Sequence, residues 1–571
     1  MEEKDSIYMW PSHWGRPVAH GSQGAVSSNS VYATRAGLSI LRNGGNAFDA
    51  ATAVALALSV VEPHHSGIGG GCFSLLYSAG EKKCYAIDGR GVAPMQATEH
   101  LFMRDGKVQS EWKDLGGQSV AVPGLLKTIE TILKTHGTMD FSEVAQPAIR
   151  LAEEGFGVSF TGALTVEDDS VRRKLKLSEA MRRLYLKENG SCYQFGERQK
   201  NPELAELLKN ISRHGTEYFY QGPCAGEIVE WINRRGGCFT LADLSEYKPR
   251  YREPMKTSYR DCEVVAFALP SGGSTVLEML NILEHTDLKA CGHNSAASLH
   301  AIAEAMKISF ADRGAALGDP DFVAVDADRI ISKEFAKERF QRIGVKAEDY
   351  AAGQELDLKE YPGNTSHFSV MDRWGNVVSQ TQTIRDWFGS GIVVDGRGFV
   401  LNNAMSDFSA AEGEMTSQGL AYGSANGIQG GKTPLSSMSP CILFRDDSPF
   451  LAIGAAGGPR IISGILQGIV NAVDYSMTPE RLVNLPYIHV ITNRQGLEAE
   501  YGISEDTLTL LEKKNHHIVR TQAAEAMSVM LNSVMCRGTE FYAAGTGRVD
   551  GCGGALLPDG SFILEGVSQE K

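Results

Sequence analysis

Two threonines and an arginine stand at the polar ends of a predicted hairpin, in the stretch GNTSHFSVMDRWGNVVSQTQTIRDWFGSG. Two strand-like runs flank the turn DRWGN, and a turn that is symmetric about its tryptophan places Thr365 opposite Thr383. Directly opposed side chains have Cβ atoms about 4.5–5.5 Å apart, so the two hydroxyl groups can meet. Arg385 comes two residues further along the same face, opposite Gly363. The hairpin ends therefore combine groups that are suited to nucleophilic chemistry.

A threonine with a free α-amine is a complete nucleophile and base, because the amine can take the proton of the weakly acidic hydroxyl. Cleavage of the chain between Asn364 and Thr365 would create that amine, and Arg385 would then point into the vacated space. The alternative is structural: Thr-Ser-His begins a half-buried strand with ordinary threonine pairing. The residues of the hairpin alone leave both interpretations open.

The first half of the chain must supply helices around this hairpin. Apolar residues recur at helical spacing between Gly and Pro stops in four segments. These segments are SVYATRAGLSILRNGGNAFDAATAVALALSVVEP, SVAVPGLLKTIETILKTHG, FSEVAQPAIRLAEEGF and NSAASLHAIAEAMKISFADRGAAL. A charged stretch, KEFAKERFQRIGVKAEDYAAGQELDLKEYPGN, follows them and predicts a helix and then an exposed linker that ends at Asn364.

From Thr365 onward short β-rich runs dominate. The predicted strands are SHFSVMD, NVVSQTQTI, GFVLNN, CILFRDD, FLAIGAAGG, HIVRT, EFYAAGT and GALLPDGSFILEG. One helix, RIISGILQGIVNAV, interrupts them. The first part of the chain is therefore helix-rich and the second part strand-rich.

Two glycine runs have the composition of ligand-binding loops. SGIGGG, residues 66–71, lacks the Gly-Lys-Ser/Thr ending of a phosphate loop and precedes a strand instead of following one. It predicts a close chain approach that leads into a sheet. GAAGG, residues 454–458, precedes a helix and can present backbone N–H groups to an anion.

Composition indicates an ordinary globular protein. The 571 residues exceed what one core usually holds, and 42% apolar with 22% charged residues is typical of such proteins. The net charge of −14 argues against nucleic acid and anionic membranes. The start of the chain lacks the basic-then-apolar order of a signal peptide, and the longest apolar run is too short to span a bilayer. We therefore expect a cytoplasmic enzyme.

The cysteines and histidines predict no metal or redox centre. The ten cysteines are scattered without a C-x-x-C pair and are expected to be reduced. His64, His65 and His367 lie near the polar motifs but lack the spacing of a metal pair. We expect them to be hydrogen-bonded core residues, and we expect no cofactor.

The whole chain resembles the γ-glutamyltransferase (glutathione hydrolase) family of N-terminal-nucleophile hydrolases. The motifs occur in family order: GGNAFDAATAVALALSVVEPHHSGIGGGCF, AVPG, FADRGAALGDPDF, NTSHFSVMD, FGSGIV, LNNAMSDFS, PLSSMSP, GAAGGPRI and GRVDG. The resemblance implies a proenzyme that cuts itself before Thr365 and folds as a four-layer αββα sandwich. Residues 1–364 would form the large chain and residues 365–571 the small chain, interlocked as one unit that could assemble further.

The resemblance also implies roles for individual residues. Thr383 would orient the nucleophile, and the N–H groups of Gly457 and Gly458 would form the oxyanion hole. Arg90 would pair with the α-carboxylate of the substrate, or, without a ligand role, form a surface ion pair. Asp407 would receive the α-ammonium of the substrate. Two serines, Ser436 and Ser437, match the family's substrate-binding serines.

Two positions depart from the family pattern. The family usually has Asn or Glu where Arg385 stands and Gln or Glu where Ala404 stands, and both help to bind the α-amino group. An unpaired arginine 4 Å from that ammonium would cost about 4 kcal/mol at an effective dielectric constant of 20. Arg385 either pairs with Asp407 and cancels the ammonium site, or turns to solvent and leaves Asp407 to bind the ammonium alone.

These departures leave three functions open. The family resemblance implies hydrolysis or transfer of the γ-glutamyl group of glutathione and related amides through an acyl-threonine, with water or an amine as acceptor. Arg385 favours a non-γ-glutamyl amide instead, such as oxamate, a dicarboxylic monoamide or a glutaryl amide. The third alternative is an uncleaved binding protein.

Overall fold

Two large antiparallel β-sheets lie face to face between two layers of helices. This architecture comes from a computed structural model, which describes residues 18–350, 364–411, 420, 423–521 and 529–565. It confirms the predicted α+β sandwich. Among the described residues, no helix is both long and apolar enough to cross a membrane.

The strands are numbered along the chain. They are β1 (Ala19–Gly21), β2 (Gly24–Ser28), β3 (Gly71–Ser78), β4 (Lys83–Gly89), β5 (Met103–Arg104), β6 (Lys107–Val108), β7 (Phe156–Gly157), β8 (Arg198–Gln199), β9 (Arg250–Arg252), β10 (Met255–Tyr259), β11 (Cys262–Ala266), β12 (Ser366–Asp372), β13 (Val377–Thr383), β14 (Cys441–Arg445), β15 (Ser448–Ala456), β16 (Ile488–His489), β17 (Leu497–Ala499), β18 (Ile518–Arg520), β19 (Met530–Arg537), β20 (Glu540–Gly545), β21 (Cys552–Leu556) and β22 (Phe562–Leu564).

The eight-stranded sheet has the order β22-β21-β2-β12-β13-β3-β4-β9, and the seven-stranded sheet has the order β1-β20-β19-β15-β14-β11-β10. The remaining strands form a three-stranded sheet, β16-β17-β18, and two strand pairs, β5-β6 and β7-β8. The predicted hairpin, β12 and β13, therefore lies in the middle of the larger sheet.

The α-helices are numbered in the same way. They are α1 (Val31–Arg42), α2 (Ala47–Val61), α3 (Ser110–Asp114), α4 (Leu125–His136), α5 (Phe141–Val144), α6 (Gln146–Glu154), α7 (Phe160–Thr165), α8 (Asp169–Leu177), α9 (Glu179–Tyr185), α10 (Pro202–His214), α11 (Glu217–Tyr220), α12 (Pro223–Asn233), α13 (Leu241–Ser245), α14 (Gly273–Leu283), α15 (Leu288–Cys291), α16 (Ala296–Ala316), α17 (Ala327–Ile330), α18 (Lys333–Phe340), α19 (Arg460–Val473), α20 (Pro479–Asn484) and α21 (Glu505–Lys513).

Each sheet packs one face on helices and the other on its partner sheet. α2 packs on β12 and β13, and α14 and α19 pack on strands of the seven-stranded sheet. Between the sheets, Phe73 stacks on Phe267 with ring centroids 4.4 Å apart. Because β12 and β13 are covered on both faces, all their residues are buried, polar ones included.

The turn of the central hairpin is tied to the buried helix α2. Asn46 caps this helix and forms a capping box with Asp49. The carboxylate of Asp372, in the hairpin turn, accepts a hydrogen bond from the N–H of Ala47 at 2.8 Å and one from the N–H of Trp374 at 2.9 Å. A carboxylate at a helix N-terminus is favourable, so one side chain fixes both the turn and the helix.

Several predicted elements differ in the structure. The first helical segment is two helices, because the run NGGN breaks it between α1 and α2. GFVLNN is not a strand, and the prediction was wrong there. The side chain of Asn402, within this run, bonds the carbonyl groups of Gly69 and Ala121 at 2.8 and 2.9 Å, and this tie to two loops holds the run in an irregular path. The predicted linker lies largely outside the described residues.

Candidate active site

The hairpin brings the two threonines together as predicted. The pairing of β12 with β13 places Ser366 opposite Gln382 and Val370 opposite Val378, which confirms the predicted register. One residue beyond this ladder, the hydroxyl oxygens of Thr365 and Thr383 lie 3.3 Å apart. Gly363, the predicted neighbour of Arg385, lies outside the described residues.

The hydroxyl group of Thr365 lies against the carbonyl group of the preceding peptide bond. Its Oγ1 contacts the carbonyl oxygen of Asn364, and Thr383 donates a hydrogen bond to the same oxygen at 3.1 Å. The N–H of Arg385 donates to Thr383 Oγ1 at 2.8 Å, which fixes the orientation of that hydroxyl. The arrangement can serve attack of Thr365 Oγ1 on the Asn364 carbonyl, with Thr383 stabilising the developing oxyanion.

Buried groups from the turn after α2 hold the residues on the other side of Thr365. Nδ1 of His65 lies 3.0 Å from the carbonyl oxygen of Thr365, and Ser366 Oγ donates to Glu62 Oε2 at 2.6 Å. Burial raises the pKa of Glu62 to about 8 and lowers the pKa of His65 to about 4. Both groups are therefore uncharged at neutral pH. His367 is hydrogen-bonded to Thr381 and Ser369, as expected of a core histidine.

Gly457 and Gly458 form the turn between β15 and α19. Their φ angles of +135° and +59° lie in the region that favours glycine. Among the described residues neither N–H donates a hydrogen bond, and Gly458 lines the same cavity as Thr365. Free N–H groups at the N-terminus of a 14-residue helix are suited to an oxyanion.

Two arginines share the carboxylate of Asp407. Arg90 Nη2 lies 2.5 Å from Asp407 Oδ2, and Arg385 Nε lies 3.1 Å from Asp407 Oδ1. Arg385 is only 5% exposed, so the alternative in which it turns to solvent is wrong. The alternative of a surface ion pair for Arg90 is wrong as well, because this residue is 2% exposed. Ala404 is buried and offers no side-chain acceptor.

The two guanidinium groups differ in how fully hydrogen bonds and carboxylates offset their burial. Nε and Nη1 of Arg90 are buried without a hydrogen-bond partner in the described part of the chain, and burial lowers its pKa. Burial also opposes the charge of Arg385, but the carboxylates of Asp386 and Asp407 outweigh it and raise its pKa. Two of the Arg90 donors are therefore unsatisfied, although both nitrogens are shielded from solvent.

The cavity in front of Thr365 has a volume of about 30 Å³. Ser436 and Ser437 line it, and the backbone at Ser436 is fixed by Arg313, whose Nη2 donates to the Ser436 carbonyl at 2.8 Å. The full lining consists of Arg90, Asn364, Thr365, Thr383, Arg385, Asp407, Leu420, Leu435, Ser436, Ser437, Met438, Gly458 and Ile461. All predicted site residues except Gly457 thus line one cavity.

Sequence reasoning missed the residues that fix the loop after Thr383. The side chain of Asp386 pairs with Arg385 and accepts a hydrogen bond from Asn403 Nδ2 at 2.7 Å. Lys174 Nζ donates to the carbonyl groups of Trp387 and Gly389, both at 2.6 Å. The adjacent opposite charges of Arg385 and Asp386 were a usable signal, whereas nothing in the sequence pointed to Lys174.

One buried cluster outside this cavity has metal-ligand residue types. His300, Glu304 and His516 lie close together. The ammonium group of Lys307 lies 2.8 Å from Glu304 Oε1, and the two imidazoles bond each other at 2.8 Å. Because Lys307 already supplies the positive charge, the residues do not fit a metal ion well.

The paired sheets, with Thr365 directly before a central strand, are the architecture of an N-terminal-nucleophile hydrolase. The family profile of Gamma-glutamyltranspeptidase matches residues 33–555. The chain belongs to the gamma-glutamyltranspeptidase family.

Relatives with different names resemble it equally well. The glutathione hydrolase proenzyme of Escherichia coli (strain K12) is 37% identical over 514 residues, 89% of this chain and 88% of that protein. The acylase ACY 1 proenzyme of Pseudomonas sp. (strain V22) is 37% identical over 515 residues, 88% of each chain. The crystal structure of cephalosporin acylase from Bacillus halodurans matches with a TM-score of 0.83 at 27% identity, covering 96% of this chain and 98% of that one.

Proposed function

We propose that the protein is a self-cleaving amidohydrolase or acyltransferase with an N-terminal threonine. The cut between Asn364 and Thr365 would leave residues 1–364 and 365–571 as the two chains of one molecule. Support comes from the contact of Thr365 Oγ1 with the Asn364 carbonyl and from the hydrogen bond that Thr383 donates to the same oxygen. Both relatives named above are described as proenzymes.

The new amine of Thr365 would take the proton of its own hydroxyl as Oγ1 attacks the amide carbonyl of the substrate. The oxyanion would accept hydrogen bonds from the N–H groups of Gly457 and Gly458, each worth about 2.7–4 kcal/mol in the transition state. Collapse breaks the C–N bond, the amine leaves with the proton, and the acyl group stays on Thr365 as an ester. Water or an acceptor amine then attacks the ester and regenerates the threonine.

The acyl group we propose carries a carboxylate and no ammonium, as in a glutaryl amide or another dicarboxylic monoamide. The observation that carries this proposal is the double occupation of Asp407 by the guanidinium groups of Arg90 and Arg385. An α-ammonium has three N–H donors. At the two positions where the family usually has an acceptor for them, this chain has Arg385 and Ala404, which offer none. Each buried donor without a partner costs about 1–3 kcal/mol, whereas a carboxylate would be attracted by the charge of Arg90, which lines the cavity.

A γ-glutamyl amide is the second candidate. It is supported by the family membership and by the 37% identity to a glutathione hydrolase proenzyme. Its α-carboxylate would be attracted by Arg90 in the same way, so only the ammonium distinguishes the two candidates.

The test compares glutaryl-p-nitroanilide with γ-glutamyl-p-nitroanilide, which differ only in the α-ammonium. Purified protein should cut itself, and the smaller chain should begin Thr-Ser-His-Phe. The kcat/KM for the glutaryl substrate should exceed that for the γ-glutamyl substrate by roughly tenfold or more, because about 1.4 kcal/mol corresponds to a factor of ten. A γ-glutamyl preference would establish the second candidate. A single uncut chain that hydrolyses neither substrate would favour the third alternative, an uncleaved binding protein.

A further inference from the structure

Two buried histidines follow each other in the turn after α2, and only one of them is hydrogen-bonded to the nucleophile residue. The rings of His64 and His65 lie 4.3 Å apart at an angle of 83°. Nδ1 of His65 lies 3.0 Å from the carbonyl oxygen of Thr365. A carbonyl oxygen can only accept, so Nδ1 of His65 carries the hydrogen. Its Nε2 has no partner within the described residues.

The same residue also holds the other end of the hairpin. The N–H of Ile384 donates to the backbone carbonyl of His65 at 3.2 Å. His65 therefore connects the residue before β12 with the residue after β13, and these are the two ends that carry Thr365 and Thr383. His64 bonds further along the loop, through its carbonyl to the N–H of Phe388.

The hydrogen bond from His65 to Thr365 becomes more important for holding Thr365 if the chain is cut. In the intact chain the peptide bond to Asn364 and strand β12 hold Thr365 from both sides. After the cut Thr365 becomes a chain terminus, and termini fray unless something ties them down. The other donor to its carbonyl, Asn29 Nδ2, lies at 3.5 Å, which is long for a hydrogen bond.

We propose that His65 is the positioning residue that holds Thr365 in register for attack on the substrate once its N-terminal peptide bond has been cut. This inference rests on the proposed function. It separates two events at one residue, because self-cleavage starts from a Thr365 that is still covalently held, whereas turnover starts from a free terminus. Loss of His65 should therefore affect turnover much more than maturation.

The experiment uses three full-length variants. His65→Leu removes the donor, His65→Asn keeps an N–H near the position of Nδ1, and His64→Leu is the matched control, a neighbouring buried imidazole without this contact. For each, the cleaved fraction, kcat and KM on the better nitroanilide and Tm are measured.

We expect all three variants to cut themselves to completion. In His65→Leu kcat should fall roughly 10–100-fold at an unchanged KM, since small displacements of a reacting group cost that much. His65→Asn should recover most of kcat. His64→Leu should lose thermal stability without this loss of kcat.

Equal kcat values for His65→Leu and His64→Leu would overturn the proposal, as would a folded, cleaved His65→Asn that is no faster than His65→Leu. If His65→Leu does not fold, His65→Asn decides alone: a kcat within tenfold of wild type supports the proposal, and a cleaved but inactive protein contradicts it. A wild-type chain that stays uncut, or a Thr365→Ala variant with normal turnover, would refute the proposed function instead.

Discussion

The side chains of Arg385 and Asp386, which are consecutive residues, form an ion pair with each other. Consecutive side chains of an extended strand point to opposite faces. Here Arg385 has a φ of +80°, so the chain leaves the extended conformation two residues after Thr383, and the two side chains can meet. The charge of Arg385 is balanced within the loop, and the penalty of a lone cation does not apply. What disfavours an ammonium in this pocket is the lack of acceptors.

Replacement of Thr365 tests the nucleophile. Thr365→Ala should remain a single chain of 571 residues and hydrolyse no amide, because no side-chain oxygen remains to attack. Thr365→Ser should keep part of both activities. Denaturing gels and N-terminal sequencing check the cut, and nitroaniline release checks turnover. Full amidase activity in Thr365→Ala would exclude this mechanism.

Thr383 should contribute to both reactions. Thr383→Ala removes the donor to the Asn364 carbonyl, so self-cleavage should slow by roughly 10²–10³, as for other lost oxyanion donors. The kcat of the cleaved enzyme should also fall, because Thr365 Oγ1 loses the hydroxyl that orients it. Thr383→Ser should retain most of the rate. Thr381→Ala, on the same strand and face, is the matched control. A Thr383→Ala enzyme as fast as this control would show that Thr383 is not required.

Acyl specificity should shift when the arginine is removed together with its partner. Arg385→Asn alone would leave Asp386 as a buried, unpaired charge, which costs about 3–5 kcal/mol. We therefore expect Arg385→Asn/Asp386→Asn to raise kcat/KM for γ-glutamyl relative to glutaryl p-nitroanilide. Adding Ala404→Gln should raise the ratio further, since the ammonium then gains an acceptor.

A second arginine–carboxylate pair provides the control for this shift. Arg397 bonds Glu227 through Nε and Nη2 away from the cavity, so Arg397→Asn/Glu227→Gln should leave the ratio unchanged. An unaltered ratio in the Arg385→Asn/Asp386→Asn protein would mean that Arg385 does not set acyl specificity. A general loss of activity lowers kcat/KM for both substrates together and leaves their ratio unchanged.

The buried carboxyl of Glu62 should make stability depend on pH. Its pKa rises to about 8 in the folded protein, chiefly through burial, so the folded state holds a proton that the unfolded state releases near pH 4.5. The stabilisation is complete below pH 4.5 and is lost as pH rises to 8, by at most ~1.4 kcal/mol per pH unit. In Glu62→Gln this dependence should vanish, so its Tm relative to wild type should rise between pH 5 and pH 8. A constant difference in Tm would contradict the shifted pKa.

The hairpin could be predicted from the sequence because its signals are local. A five-residue turn and alternating residues fix the register, and the register alone places Thr365 beside Thr383. The sequence left two alternatives open for Arg385, pairing with Asp407 or turning to solvent. The direction of a side chain just after a strand depends on the backbone φ angle there, which the sequence does not specify. Lys174 and His65 could not be predicted, because each contact joins residues more than 200 positions apart.

The order of strands has a consequence for how the molecule can be made. In the larger sheet, β2 lies between β21 and β12, and in the smaller one β11 pairs with β14, so each sheet combines strands from before and after Asn364. A cut before β12 breaks one covalent bond and leaves its ladders to β2 and β13 in place. It nevertheless converts unimolecular folding into the association of two chains, whose yield depends on concentration. The precursor can assemble with all its strands tethered, whereas the denatured mature pair must find each other again. If the chain is cut as proposed, folding must precede the cut, and the two-chain protein would owe its persistence to slow unfolding more than to an ability to refold.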